Sequence, residues 1–202
     1  MKKAGLLVAL ILVFSVVSFA QGDNLIIDDF ETPIIKGLDG TIDYGSGNGS
    51  SVEVSSEPKI KYSKDSSLKV VYNAVAGGYM WIARGFDLDA QNAGWLVDPQ
   101  DIIWDDYSAL AFYMYGSDSK NRIAVDVKDS GNEVWRFIIN DDFNGWREVV
   151  CPFEQFAVRD DWQPESSDKN SIINFPLKSY QFEPLPESSG TLYFDRVELI
   201  KK

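Results

Sequence analysis

The sequence predicts an all-β fold, a sandwich of two sheets of the jelly-roll type. Three observations lead there. Short runs of β-branched and aromatic residues follow one another along the chain. Most are bounded by Gly, Asp, Asn, Ser or Pro, and no stretch sustains the 3.6-residue apolar period of an amphipathic helix. Many short strands without crossover helices pack as two antiparallel sheets around one core.

The first run, Leu25-Ile26-Ile27-Asp28-Asp29-Phe30-Glu31, opens the folded part. Residues 37–51 are rich in Gly, Asp, Asn and Ser and read as loop, broken by Thr41-Ile42-Asp43-Tyr44. Leu68, Val70 and Tyr72 form the next alternating set, followed by strands over 79–86, 109–115, 123–127 and 134–139. Asp129-Ser130-Gly131-Asn132 fits a hairpin turn. A strand over 146–151 runs into Pro152, which cannot donate to a ladder and so ends the pairing. Segments 176–183 and 191–200 close the chain. Leu110, Phe112 and Met114 alternate with Ala109, Ala111, Tyr113 and Tyr115, so one face is apolar and the other small or tyrosine-rich. Ile123, Val125 and Val127 point away from Arg122, Asp126 and Lys128. Arg122 and Lys128 read as solvated. Trp81 and Trp135 have ambiguous parity and are candidates for the core.

Met1–Ala20 has the pattern of a secretory leader: Lys2 and Lys3, an apolar run over 6–17, then small residues before a cut at Ala20/Gln21. The run is short for a membrane span, and no later segment offers one. A single domain over residues 21–202 is expected, in a secreted or periplasmic setting. The 202-residue chain carries a formal net charge of -12, which becomes about -14 once the two leader lysines are gone. That charge argues against nucleic acid and anionic lipid as partners. Cys151 is the only cysteine, so no internal disulfide forms, and its apolar neighbours make it a packed thiol. The sequence has no histidine, which removes Ser-His and Cys-His nucleophiles, histidine-ligated metals and histidine acid–base chemistry. Only carboxylates remain, and no two acids are placed across a recognisable cleft. The Asp pairs at 28/29, 105/106, 141/142 and 160/161 read as solvated turn acids, except Asp29 and Asp161. The chain therefore reads as non-catalytic.

The segment after Pro152 carries the functional signal. Phe153 and Phe156 anchor a loop that presents Arg159, Asp161 and Trp162 together. A flat ring stacks on the C–H face of a sugar, while a guanidinium and a carboxylate bond its hydroxyls. Asp195, in parity with Tyr193, Val197 and Leu199, is aimed inward. A buried carboxylate needs a cation or donors. Glu31 and Asp29 on the first strand are its natural companions, and an oxygen-rich, histidine-free set suits structural calcium. A salt link from Asp195 to Arg196 or Lys69 is the alternative.

The order of these runs resembles the family 11 carbohydrate-binding modules, within the galactose-binding-like jelly rolls. The matching segments are 25–31, Ser67-Leu68-Lys69-Val70, Gly78-Tyr79, Trp146 to Phe153, the Arg-x-Asp-aromatic-Gln-Pro loop at 159–164 and the closing strand 189–199. The resemblance implies sugar contacts at Arg159, Asp161, Trp162 and Tyr79, and β-1,4- or mixed-linkage β-glucan as ligand. It also implies calcium completed by carbonyls near 66–69. Trp162 stands where the family has tyrosine. The 45–49 loop lacks a platform tyrosine, and a second is missing near Phe182-Glu183-Pro184. Segment 87–106 resembles an insertion that brings Trp95 and Trp104 as added groove walls. The expected partner is a polysaccharide or oligosaccharide, with a separate glycoside hydrolase alongside. The rival expectation is a structural protein of the cell surface or flagellar sheath, for which Phe143-Asn144-Gly145-Trp146-Arg147 suits equally.

Overall fold

A computed structural model describes residues 24–202; the leader assigned to Met1–Ala20 lies outside the described residues. The strands are β1 (Leu25–Asp28), β2 (Asp43–Gly47), β3 (Ser51–Glu57), β4 (Ser67–Ala74), β5 (Tyr79–Gly85), β6 (Tyr107–Ser117), β7 (Arg122–Lys128), β8 (Val134–Asn140), β9 (Asn144–Pro152), β10 (Ala157–Val158), β11 (Ser179–Pro184) and β12 (Ser188–Lys201). One sheet runs β3-β4-β12-β6-β9, with β1 beside the second half of β12; the other runs β10-β8-β7-β11-β5-β2. The pairings are antiparallel. The helical content among the described residues is three single 3-10 turns, Pro99–Asp101, Trp104–Asp106 and Phe153–Gln155. The all-β sandwich expectation holds. The Gly- and Ser-rich stretch extends the 41–44 run into β2 as far as Gly47, where loop was expected, and β3 follows it.

Apolar alternation decides which faces meet. Leu110, Phe112 and Met114 of β6, with Leu192 and Phe194 of β12, face Met80, Ile82, Ile123, Val125 and Phe182 of the other sheet. Phe182 and Phe194 stack across the middle with centroids 3.9 Å apart, and Phe112 meets Phe182 edge-on at 4.9 Å. Each such side chain contributes roughly 1.5–3 kcal/mol when fully buried. Cys151 is buried, as expected. The 129–132 turn joins β7 to β8, with Asn132 at φ 64°.

Two acids expected at solvated turns are instead fully buried. Asp28 binds Arg84 Nε and Nη2 at 2.6 and 3.0 Å and accepts the Tyr180 hydroxyl at 2.7 Å. This is an ion pair between the two sheets. Asp141 accepts the amide of Ser117 at 3.0 Å and the hydroxyl of Ser119 at 2.6 Å, closing the β6–β7 loop.

The direction of Asp195 also differs from expectation. Phe194 and Val197 both face the core, because Arg196 takes φ 46° and the β12–β6 register shifts between Asp195 and Glu198. A bulge of this kind reverses parity. Asp195 and Tyr193 therefore share the outer face of β12. Asp195 is buried from above, by the β3–β4 loop rather than by the core.

Candidate functional site: an aromatic groove on the outer face of one sheet

A groove of about 860 Å³ crosses the outer face of the β10-β8-β7-β11-β5-β2 sheet. One cross-strand row runs through every strand: Ala157, Arg136, Asp126, Gln181, Ala83 and Asp43. These side chains share a face because alternate residues point to the same side. Ala83 keeps the floor low beside the aromatic wall.

That wall comes from β5. Tyr79 and Trp81 lie two residues apart on one face, with ring planes 15° apart and centroids separated by 6.2 Å. Their registered partners are glycines: Gly45 opposes Trp81 and Gly47 opposes Tyr79. A Cβ on Gly45 would lie 2.5 Å from the Trp81 ring, and one on Gly47 would lie 2.4 Å from the Tyr79 ring. The rings thus spread over the β2 backbone. Asp43 fixes the indole by accepting Trp81 Nε1–H at 3.0 Å. Of the two tryptophans whose parity the sequence left open, Trp81 is a groove residue and Trp135, at 7% exposure, is buried. The signal that could have found Trp81 is the shared parity of Tyr79 and Trp81 opposite a Gly-x-Gly strand. Those glycines also account for the missing platform tyrosine, since ring area from β5 covers the space such a side chain would fill.

The opposite wall is the 159–164 loop. Phe153 and Phe156 are buried, anchoring it as expected. Gln163 holds it to β8: its amide accepts from Val134 N and donates to the carbonyls of Val134 and Arg159, each at 2.8 Å. Arg159 makes a two-pronged pair with Asp161 at 2.8 and 3.0 Å, and its guanidinium carbon lies 5.6 Å from the Trp162 ring centroid. Arg159, Asp161, Trp162 and Tyr79 all line the one groove. Their exposures differ. The Arg159 side chain is only 10% exposed, and it also binds Asp126 and Glu183 at 3.0 Å. Asp161 is 55% exposed at its side chain and Trp162 is 56% exposed, so these present themselves to a ligand while Arg159 holds the acids in place.

Beneath the fork, Arg136 binds both oxygens of Asp126 at 2.7 and 2.8 Å and reaches Glu183. Burial pushes the Glu183 carboxyl above its ordinary range, against the pull of Arg136 and Arg159. The Arg159 hydrogen bond holds Asp161 below its ordinary value. Lys128, expected to be solvated, is half-buried at the groove edge, where its ammonium donates to the Asp87 carbonyl at 2.7 Å. Trp95 and Trp104 are not groove walls. Both are 8% exposed and belong to an aromatic cluster with Phe86, Phe153 and Phe175, donating their indole N–H groups to the carbonyls of Arg84 and Pro99. From that insertion, Leu88 and Asp89 reach the groove.

The residues expected to hold calcium gather at the β3–β4 loop on the other sheet. Asp195 accepts from Tyr62 N at 2.8 Å and from Ser63 N at 2.9 Å. Glu31 accepts the amides of Asp65 and Ser66, and Asp29 pairs with Lys64 at 2.6 Å. Arg196 pairs with Glu198 instead of Asp195. Burial raises the Asp195 carboxyl above its ordinary range, opposed by those two amides. Among the described residues no group of three or more Asp, Glu, Cys or His is placed to hold a metal ion. Asp195 and Glu31 suit a hard cation better than Asp29, which Lys64 already neutralises.

A jelly-roll sandwich whose outer sheet face carries an aromatic groove with preset polar groups defines a carbohydrate-binding domain. The profile of the family described as "Carbohydrate binding domain (family 11)" matches residues 16–202, and the chain belongs to that family. The family 11 module of a cellulosomal cellulase from Clostridium thermocellum superposes with a TM-score of 0.68 at 20% identity, over 89% of this chain and 95% of that one. A family 11 module from the same organism, in complex with a β-1,3-1,4-mixed-linked tetrasaccharide, gives a TM-score of 0.64 at 21% identity, over 88% and 95%. Endoglucanase H of Acetivibrio thermocellus is 27% identical over 184 residues, 90% of this chain. This chain spans 18% of that relative's length.

Proposed function

We propose that this protein is a secreted or periplasmic, non-catalytic module that binds a neutral β-glucan in the groove between the Tyr79–Trp81 wall and Trp162. The observation that carries the proposal is the groove itself, with two ring platforms on either side of a floor of paired charges. Sugar rings stack on the aromatics, and Asp161 and Gln181 take the hydroxyls. The mixed-linked tetrasaccharide held by the similar C. thermocellum module supports this ligand class. The carboxylates Asp126 and Glu183 are bound by Arg136 and Arg159, an arrangement that favours holding a ligand over proton transfer. A separate glycoside hydrolase is the partner this reading supplies with substrate.

Calorimetric titration with a mixed-linkage β-glucan tetrasaccharide tests the proposal. Trp162→Ala and Trp81→Ala should each weaken binding by about 1–3 kcal/mol, the usual cost of truncating an aromatic anchor, with unchanged circular dichroism. Wild-type affinity in both variants, or no binding by the parent on a broad glycan array, would overturn it. The latter result favours the structural-protein reading.

Structural calcium at Asp195 and Glu31 forms a further part of the proposal, supported by two carboxylates at one loop that backbone amides bind and that no cationic side chain pairs among the described residues. Chelation should then lower the melting temperature by mass action. An unchanged melting curve in excess chelator, with no metal by elemental analysis, removes calcium from the reading and leaves the groove untouched.

A further inference from the structure

Of the six tryptophans, four donate their indole N–H to the protein: Trp81, Trp95, Trp104 and Trp135. The two that donate to no protein group among the described residues are Trp162, in the groove, and Trp146, on the opposite side of the molecule. Trp146 belongs to a row across the outer face of the other sheet, where Tyr193 opposes Tyr115 and Tyr115 opposes Trp146. Tyr115 meets Trp146 edge-on at 5.5 Å and Tyr193 edge-on at 5.8 Å. Above them the β3–β4 loop lays Tyr62 flat on Tyr113 at 3.5 Å and 11°, with Trp146 at 6.0 Å. The Tyr115 and Tyr193 hydroxyls also donate to no protein group among the described residues.

We propose that this row, Tyr193, Tyr115 and Trp146 with Tyr62, is a second carbohydrate-binding surface that takes a neutral polysaccharide. The ring positions are fixed by one another before any ligand arrives, which lowers the ordering cost of binding. Trp146, Tyr115 and Tyr193 each carry an N–H or O–H free to bond a hydroxyl, the combination of apolar face and polar edge that sugars match, while Tyr62 adds ring area and keeps its hydroxyl with Tyr113. The charges registered beside the row are of both signs, Lys69 against Tyr193 and Glu148 against Tyr113, and Arg196 pairs with Glu198, so nothing selects for a polymer of one charge. A second copy of the chain is a poorer occupant. Tyr62 is 43% exposed and the other rings are half-buried. At roughly 150–250 Å² per aromatic side chain, the row offers at most about 400 Å². A standard protein interface takes roughly 800 Å² per partner. A flat row on an open sheet suits an extended chain or a polysaccharide surface, while the groove suits a short segment.

The test separates the two sites. In affinity electrophoresis through mixed-linkage β-glucan, Trp162→Ala should keep a residual retardation. Adding Trp146→Ala or Tyr193→Lys should reduce that remainder at least about fivefold. Depletion from suspended microcrystalline cellulose should fall in the same order. In Trp162→Ala, the Trp146 indole N–H resonance should shift on titration with the tetrasaccharide, a readout that needs no second substitution. Tyr193→Lys guards against misfolding, because a long flexible chain is tolerated at that half-exposed position. Unchanged retention in both double variants with an unmoved Trp146 resonance would overturn the second surface, as would concentration-dependent dimerisation that Trp146→Ala abolishes. If the groove reading alone fails, Trp162→Ala has no effect while the outer-face variants still do. If no polysaccharide retains the parent, both sites are overturned.

Discussion

Arg159 shows how much a single side chain can organise. Its guanidinium holds Asp161, Asp126 and Glu183 at once, so the loop's polar edge is set before a ligand enters. The fork makes a pH prediction whose signs differ for its two acids. The Glu183 pKa is raised, so the folded protein binds more protons than the unfolded chain just above pH 4.5, and this acid's contribution to stability falls as pH rises through that window. The Asp161 pKa is lowered, so its contribution is present above pH 3.8 and is lost as pH falls below it. On acidification Glu183 therefore takes its proton first, and Asp161 stays ionised longest. Tetrasaccharide affinity should decline in two steps on acidification, the upper above the ordinary glutamate range and the lower below the ordinary aspartate range. Glu183→Gln should remove the upper step and keep the lower one, as read by titration calorimetry at each pH. A single step unaffected by that substitution contradicts the assignment.

At the scale of elements, β2 and β5 form one device. The strand with glycines opposite Tyr79 and Trp81 lets both rings lie across it, and β-branched residues there would lift them. Gly47→Ala should weaken oligosaccharide binding by roughly the cost of a displaced anchor, about 1–3 kcal/mol. The melting temperature should change little, because Gly47 lies in a strand at the edge of its sheet and what it meets is the far end of one half-exposed side chain rather than backbone. Calorimetry and a thermal melt on the same sample check both halves. The sequence suggested Tyr79 through the Gly-Tyr pair but left Trp81 undecided between groove and core, because parity within β5 cannot say which face is outward until a neighbouring strand is registered. For the same reason Asp195 looked inward: a bulge at Arg196 is set by φ 46°, which no alternation pattern announces.

Across the whole molecule, the two sheets are joined by apolar packing and by one buried ion pair. Asp28 sits on β1 in one sheet and Arg84 on β5 in the other, with Tyr180 of β11 completing the pair. Removing one partner leaves an uncompensated buried charge. Asp28→Ala or Arg84→Met should therefore cost about 3–5 kcal/mol, while replacing both with apolar residues of similar volume should cost far less. For a domain of this size that single loss lowers the melting temperature by roughly 2–4 °C per kcal/mol. Equal melting of the single variants and the parent would show that the pair is not stabilising the sandwich.

Local chemistry written in the chain determined the strand alternation, the Pro152 stop, the Phe153 and Phe156 anchors, and the gathering of Arg159, Asp161 and Trp162 on one loop. Alternation fixes which residues can share a face, and a short loop keeps its residues together whatever surrounds it. Tertiary structure decided the rest. The glycines of β2 gained their role only when paired with β5. Trp95 and Trp104 went to an interior cluster because the chain between Phe86 and Tyr107 packs them against Tyr180, Phe153 and Phe175. The Tyr193, Tyr115 and Trp146 row exists only because β12, β6 and β9 become neighbours. Register between strands distant in sequence is set by the packing of the entire core, and it is register that turns scattered side chains into a surface.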